Sequence, residues 1–169
     1  AMFWNAAKLS FVGNNSGIAM NYTPWLRNLV PDVSMAYVSG YKRLDDLQAV
    51  GVSMRYFSLG DINFTDINGA SLGTFNPNEF AIDGCYSRKL SDEFSVGVGL
   101  RYVYSNLAAG FDPNNQFKAG TAVAGDLSFY YNRPRRMFGK EGNVAAGLVI
   151  SNMGNKMAYS ESGQTSFIP

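Results

Sequence analysis

Large apolar and small or polar positions alternate with a period of two along most of this chain. In "VGVSMRYF", Val52, Met54 and Tyr56 fall on one face, and Gly51, Ser53, Arg55 and Phe57 fall on the other. Such alternation predicts a β-strand with two unlike faces. Seven segments share it, near 17–23, 33–42, 48–58, 79–89, 94–106, 120–132 and 143–152. The larger apolar residues predict one greasy face in each. They are Ile18, Met20 and Tyr22; Val33, Met35, Tyr37 and Tyr41; Val52, Met54 and Tyr56; Phe80, Ile82 and Tyr86; Val96, Val98, Leu100, Tyr102 and Tyr104; Val123, Leu127, Phe129 and Tyr131; Val144, Ala146, Leu148 and Ile150. Most segments are near the ~9–11 residues a tilted strand needs to cross a bilayer, and soluble strands average only ~5–6. No comparable stretch reads as an amphipathic helix, so the fold class expected is all-β.

The connections sort by length. "RLDD" and "LSDE" are short, whereas "LGDINFTDINGASLGTFNPNE", "LAAGFDPNNQFKAG" and "GNKMAYSESGQTSF" are long and fall on the opposite side. "PWLRNLVPD" is compact for the long side, and "RPRRMFGKEG" is large for the short side. Short turns at one end and long loops at the other are the layout of an outer-membrane barrel. The second face of the strands is Gly, Ala and Ser, broken by Arg55, Asp83, Arg101 and Asp126, one on each of segments three to six. Their signs alternate, so each has an opposite charge across a strand pair, which offsets desolvation in a narrow interior. The greasy face carries no charge at mid-segment, where an Arg or Lys against lipid would cost roughly 2–4 kcal/mol. The expectation is a transmembrane antiparallel β-barrel with Val52, Met54 and Tyr56 on lipid and the four charges forming a ladder in the lumen. Tyr22, Trp25, Tyr56, Tyr102 and Tyr104 gather toward the long-loop ends, and Tyr41, Tyr86, Phe94, Phe129 and Tyr131 toward the short turns. Two aromatic girdles fit two interfaces. A soluble β-module with internal ion pairs is the competing reading.

Composition agrees and narrows the chemistry. Charged residues are 16% of the chain, aromatics 14%, and Gly 18 of 169. Net charge is +1, which gives no electrostatic reason for a nucleic-acid partner. No apolar run is long enough for a transmembrane helix, which leaves strands as the only spanning option. His is absent and Cys85 is the one cysteine. Within these residues a Ser-His-Asp triad, a His-ligated metal and a structural zinc site are excluded, and no cofactor or metal is expected. Asp83 and Asp126 each stand beside an Arg, which suits pairing rather than acid–base work. Cys85 falls on the small-residue face as a filler. The chain opens "AMFWNAAKLSF" and ends "SGQTSFIP", without a secretion signal. Both ends are expected to be cut from a longer protein.

Four stretches, "NYTPWLRNLVPDVSMAYVSGY" (21–41), "AVGVSMRYFSLGDINFTD" (49–66), "FNPNEFAIDGCYSRKLSDEFSVGVGLRYVYSNL" (75–107) and "GLVISNMGNKMAY" (147–159), closely resemble the PorV family of the type IX secretion system of Bacteroidetes. "WNAA" (Trp4–Ala7) is similar to an Asn-Pro-Ala element of the FadL-type barrels, with Ala6 in place of Pro. The resemblance implies a FadL-like barrel of 14 strands, about half of which would lie in residues 16–169, with residues 1–15 ending an N-terminal hatch. It implies a non-enzymatic component of the bacterial cell outer membrane. Its partners would be the SprA (Sov) translocon, the C-terminal signal domains of secreted cargo, the sortase-type attachment complex and outer-membrane lipid. A FadL-like channel for hydrophobic compounds is the alternative.

The long loops carry the candidate partner-binding residues. Asn68-Gly69 favours a type I′ turn whose flanks can pair, extending strands three and four as a hairpin beyond the membrane. Phe64 and Phe75 on that hairpin, and Phe111 and Phe117 around a second polar turn, are candidate contacts for a protein partner. Arg133, Arg135, Arg136 and Lys140 are expected in a solvated turn near phospholipid headgroups.

Overall fold

A computed structural model describes residues 3–25, 32–107, 118–137, 140–159 and 165–166. A short 3-10 helix (Ala6–Phe11) precedes β1 (Ser16–Pro24), β2 (Val33–Arg43) and β3 (Gln48–Leu59). A small hairpin follows, β4 (Ile62–Thr65) and β5 (Ser71–Phe75). Then come β6 (Asn78–Lys89), β7 (Phe94–Asn106), β8 (Gly120–Met137) and β9 (Lys140–Gly154), with the two-residue strands β10 (Met157–Ala158) and β11 (Thr165–Ser166) after them. The seven long strands form one antiparallel sheet in the order β1-β2-β3-β6-β7-β8-β9, curled into a half-barrel. All seven predicted segments are strands. Each bonds to the next long strand in sequence; the four-residue turns 44–47 and 90–93 leave β2–β3 and β6–β7 no other neighbour.

The sheet is inside-out relative to a soluble protein. Its convex face carries the large apolar side chains: Ile18 is 87% exposed, Met20 77% and Leu100 69%. The buried hydrophobic residues are instead small or few: Ala6, Ala7, Leu9, Ala49, Ala81, Ala122 and Met157. Ser53, Ser87, Ser95, Ser105 and Ser128 are buried on the concave face. Aromatic pairs mark both rims of the convex face: Phe80 stacks on Tyr104 at 5.1 Å toward the long connections, and Phe94 on Phe129 at 6.4 Å toward the short ones.

Two expectations fail in instructive ways. On β2 the greasy face was expected to hold Val33, Met35, Tyr37 and Tyr41 with the other apolar rows. The register puts Val38 opposite Met20 and Met54, and Tyr37 opposite Asn21 and Arg55. Val33, Met35, Tyr37 and Tyr41 therefore face the concave side, and Ser34, Ala36, Val38, Gly40 and Lys42 face out. Parity is a one-residue choice, and contacts across the concave face decide it. Phe3 packs edge-on against Tyr37 at 6.2 Å, and the Tyr41 ring covers Gly17, where a Cβ would lie 2.6 Å from the ring. Tyr41 thus leaves the short-turn girdle. The second correction is "RPRRMFGKEG", expected as a large connection. Most of it is strand: β8 and β9 stay paired down to Met137 opposite Lys140. Pro134 is tolerated because β8 has run past its last pair with β7, Tyr131 opposite Phe94, and only β9 remains beside it.

Candidate functional site

The N-terminal segment lies in the half-barrel at its short-turn end. Asn5 caps the 3-10 helix: its Oδ1 accepts the Ala7 N–H at 3.0 Å. Asn5 Nδ2 donates to the Phe129 carbonyl at 3.0 Å. The Ala7 carbonyl accepts the hydroxyls of Ser87 at 3.0 Å and Ser95 at 2.7 Å, and Ser128 Oγ accepts the Ala7 N–H at 3.1 Å. Ala7 is fully buried. These three serines form a floor matched to the backbone N–H and C=O of one residue. Gly97 lies under that unit, where a Cβ would stand 2.5 Å from the Ala7 nitrogen, so close approach requires glycine. Phe11 meets Tyr130 edge-on at 5.4 Å, and Lys8 and Lys89 lie over the Tyr130 and Phe11 rings.

Deeper in the concave face stand the four charges. Asp83 and Arg101 are directly opposite each other on β6 and β7 and form an ion pair, both side chains mostly buried. Asp126 Oδ2 lies 3.7 Å from Arg101 Nη2. Its other oxygen accepts the backbone N–H of Asn152 at 2.8 Å. Asn152 belongs to a bulge, where Ser151 and Asn152 oppose the single residue Asp126; its φ is 60°, a conformation Asn tolerates better than most residues. Asn152 Oδ1 accepts from Arg101 Nη1 at 3.0 Å, which closes the network. Ser53 Oγ donates to Asp83 at 3.3 Å.

Arg55 stands apart from the expected rung. Its register partner is Ala81, two pairs away from Asp83, which stands opposite Ser53, and its guanidinium lies over the Phe3 ring at 5.4 Å. Arg101 lies 6.0 Å from the centroid of the same ring. Phe3 thus offers its π-system to two like charges. Between the N-terminal segment and the charges is a cavity of about 330 Å³, lined by Phe3, Trp4, Ser53, Asp83, Arg101 and Asn152 among others. Cys85 also lines it.

At the opposite end the segment after β9 packs back against β7 and β8. Met157, 2% exposed, packs on Gly120, and Tyr159 donates its hydroxyl to Ser105 Oγ at 2.8 Å. Ser105 in turn bonds Glu79.

The hairpin that sequence placed beyond strands three and four is present as β4 and β5, with Phe64 and Phe75 both half-buried and Asn68 and Gly69 exposed at its tip. Its turn is not type I′. The Asp66 carbonyl accepts the Gly69 N–H at 3.0 Å, Asp66 N–H donates to Ala70 O at 2.8 Å, and only Gly69 (φ 82°) is left-handed. This is a type I turn followed by a bulge glycine. The Asp66 carboxylate selects it by accepting the N–H groups of Asn68 and Ala70, each at 2.8 Å. Ile67 is fully exposed at the tip, a residue the sequence reading passed over. Phe111 and Phe117 lie outside the described residues. Phe3, Asn5 and the serine floor were also missed. Their signal was faint: inward-facing serines close to the short turns on three successive strands.

A family model described as "Type IX secretion system protein PorV" matches residues 1–169, the whole chain. No curated protein matches it.

Proposed function

The chain belongs to the PorV family of type IX secretion system proteins, and from that premise we propose that it is a non-enzymatic outer-membrane barrel that hands secreted cargo from the translocon to the cell-surface attachment complex. The whole-chain family match carries this reading. The inside-out sheet supports a membrane location. An apolar convex face of this extent is a liability in water and the expected surface against lipid. The concave face would then be the lumen, residues 1–15 the end of a hatch, and the Arg55, Asp83, Arg101 and Asp126 charges a structural brace of the lumen wall. The proposed partners are the SprA (Sov) translocon and the C-terminal signal domains of cargo, met through the β4–β5 hairpin and the loop holding Phe111 and Phe117, and then the sortase-type attachment complex. The N-terminal segment lying in the half-barrel favours a barrel that does not conduct, against the FadL-like channel reading.

The experiment is deletion of the protein from its own bacterium, with site-specific crosslinking from Ile67 in the complemented strain. Cargo should fail to reach the surface, and the crosslink should join the protein to the translocon or to a cargo signal domain. Normal surface display without the protein would overturn the shuttle reading. Ion conductance by the purified barrel in planar bilayers, comparable to an open porin, would move the assignment to a channel.

A further inference from the structure

Among the described side chains, the convex face is charged at one rim only. Among the described side chains of the long strands, those that the alternation turns outward and that carry charge are Lys42, Arg88, Arg133 and Arg135, all cations and all exposed. Lys42 and Arg88 are the second-last residues of β2 and β6, beside the short turns. Arg133 and Arg135 lie on β8 beyond Tyr131, where its pairing with β7 ends. The long-connection rim of the same face holds no charge among these side chains. Arg133 is tied to Glu93 at 3.1 Å, whereas Lys42, Arg88 and Arg135 have no ion pair among the described residues. The nearby turn carboxylates are engaged within their own turn. Asp46 holds Arg43 at 3.1 Å, and Asp45 accepts the N–H groups of Leu47 and Gln48, with the charge of Arg88 acting on it from outside.

Beside Lys42 the apolar face opens into a groove of about 690 Å³ between Ile18 and Val52. The groove exists because Gly40 has no side chain: a Cβ there would meet nothing closer than the Gly17 carbonyl oxygen at 3.7 Å.

We propose that this rim binds anionic phospholipid of the leaflet on the short-turn side, with a headgroup phosphate on Lys42 and one acyl chain in the Ile18–Gly40–Val52 groove. The inference rests on the membrane reading above. Charge complementarity commits it to lipid. These cations, without an ion pair among the described residues, sit on three different strands, β2, β6 and β8, spread around a curved apolar face: in the register Lys42 is level with Tyr86, Arg88 with Phe129, and Arg135 lies beyond Tyr131. Separate phosphates can meet cations distributed in this way; a single acidic protein segment would have to follow the curve. Arginine and lysine stems also lie along apolar surface while their heads reach the phosphate layer.

The test uses the full-length protein folded into nanodiscs of phosphatidylethanolamine with about a quarter phosphatidylglycerol, released gently and weighed with its retained lipids by native mass spectrometry. Phosphatidylglycerol should be enriched about fivefold or more over the bulk ratio, the discrimination that one surface cation supplies. Lys42→Gln with Arg88→Gln and Arg135→Gln should return the ratio to bulk, with heat-modifiable gel mobility showing that the barrel still folds. Gly40→Leu should reduce the number of lipids retained. A bulk ratio in the unaltered protein, as expected if the rim serves an acidic protein instead, overturns the proposal, and so does enrichment that survives the triple substitution. A protein that never inserts removes the membrane reading together with this one; an inserted barrel without lipid preference removes this one alone.

Discussion

Arg101 holds more of the concave face together than its neighbours do. It touches both carboxylates and Asn152, while among the described residues Arg55 engages the Phe3 ring alone. The consequences of substitution should therefore be unequal. Asp83→Leu removes the carboxylate directly opposite Arg101 and leaves that cation mostly buried with its weaker partner, a change that typically costs about 3–5 kcal/mol. Arg55→Ala removes a cation–π contact of roughly 0.5–2 kcal/mol. Unfolding of the detergent-folded barrel, followed by heat-modifiable gel mobility, should rank them in that order; equal effects would argue for a four-charge ladder. Asp126→Asn keeps an acceptor for the Asn152 N–H and should be milder than Asp126→Ala. Gly97 offers a separate test at the same scale. A Val there collides with the Ala7 peptide, so the N-terminal segment must lift away. Cys85, the one cysteine, lines the cavity that segment covers. Maleimide labelling of Cys85 should be at least several-fold faster in Gly97→Val than in the unaltered protein, and Ser87→Ala with Ser95→Ala should produce a smaller change, since each lost hydrogen bond is worth roughly 0.5–1.5 kcal/mol.

Among the elements, turns and hairpins carry the next set of expectations. The β2–β3 turn is organised by Asp45, whose carboxylate accepts the Leu47 and Gln48 N–H groups at 2.8 and 2.7 Å. The Leu47 N–H bond, more than any other influence, holds its pKa below the ordinary value of 3.8, with Gln48 and Arg88 adding to the effect. A depressed carboxylate stabilises the folded turn at pH above its unfolded pKa, and that contribution fades as pH falls through the lower, folded value. Hydrogen exchange of the Leu47 and Gln48 amides should accordingly be protected at pH 5 and lose protection, after correction for intrinsic rate, below about pH 3.8, with Asp45→Asn flattening the profile. The β4–β5 hairpin tests partner binding. Phe64→Ser with Phe75→Ser should weaken recovery of the translocon or cargo signal domain while barrel assembly stays normal. An aromatic hot spot contributes at least ~2 kcal/mol, so roughly a thirtyfold loss of affinity is expected. Both rings are half-buried in the hairpin's surroundings, which makes the opposite outcome informative. Altered barrel stability with unchanged partner recovery would assign them to a lid, and interest would pass to Ile67 at the tip and to Phe111 and Phe117.

At the scale of the whole molecule, the sheet exposes its large apolar residues and buries serine and alanine. β1 and β9 are its two edge strands. Residues 1–169 expressed in water without detergent should therefore aggregate, because open edges and an apolar face both recruit neighbours. A monodisperse, cooperatively unfolding monomer would sink the membrane reading. The number and type of the long strands were legible in the chain, because alternation is a local property, and so was the pairing across the short turns, which leave the two strands they join no other neighbour. The outward rows of β1, β3, β6, β7, β8 and β9 were legible for the same reason: one face of each is clearly greasier. β2 was not, since both of its faces carry apolar residues, and its parity was decided by Phe3 and by Gly17 across the concave face. The type I turn at Asn68-Gly69 followed from a carboxylate two residues before the dipeptide, which a dipeptide rule does not weigh. The pairing of the charges needed register and a bulge as well as sign alternation, so only the assembled sheet could give Arg101 to Asp83 and Asp126 and leave Arg55 to Phe3. The serine floor under Ala7 joins residues 80 to 121 positions apart. Sequence specifies such a site only through the fold, because each serine alone is an ordinary small inward residue and acquires its role when the backbone of a residue distant in the chain is laid across it.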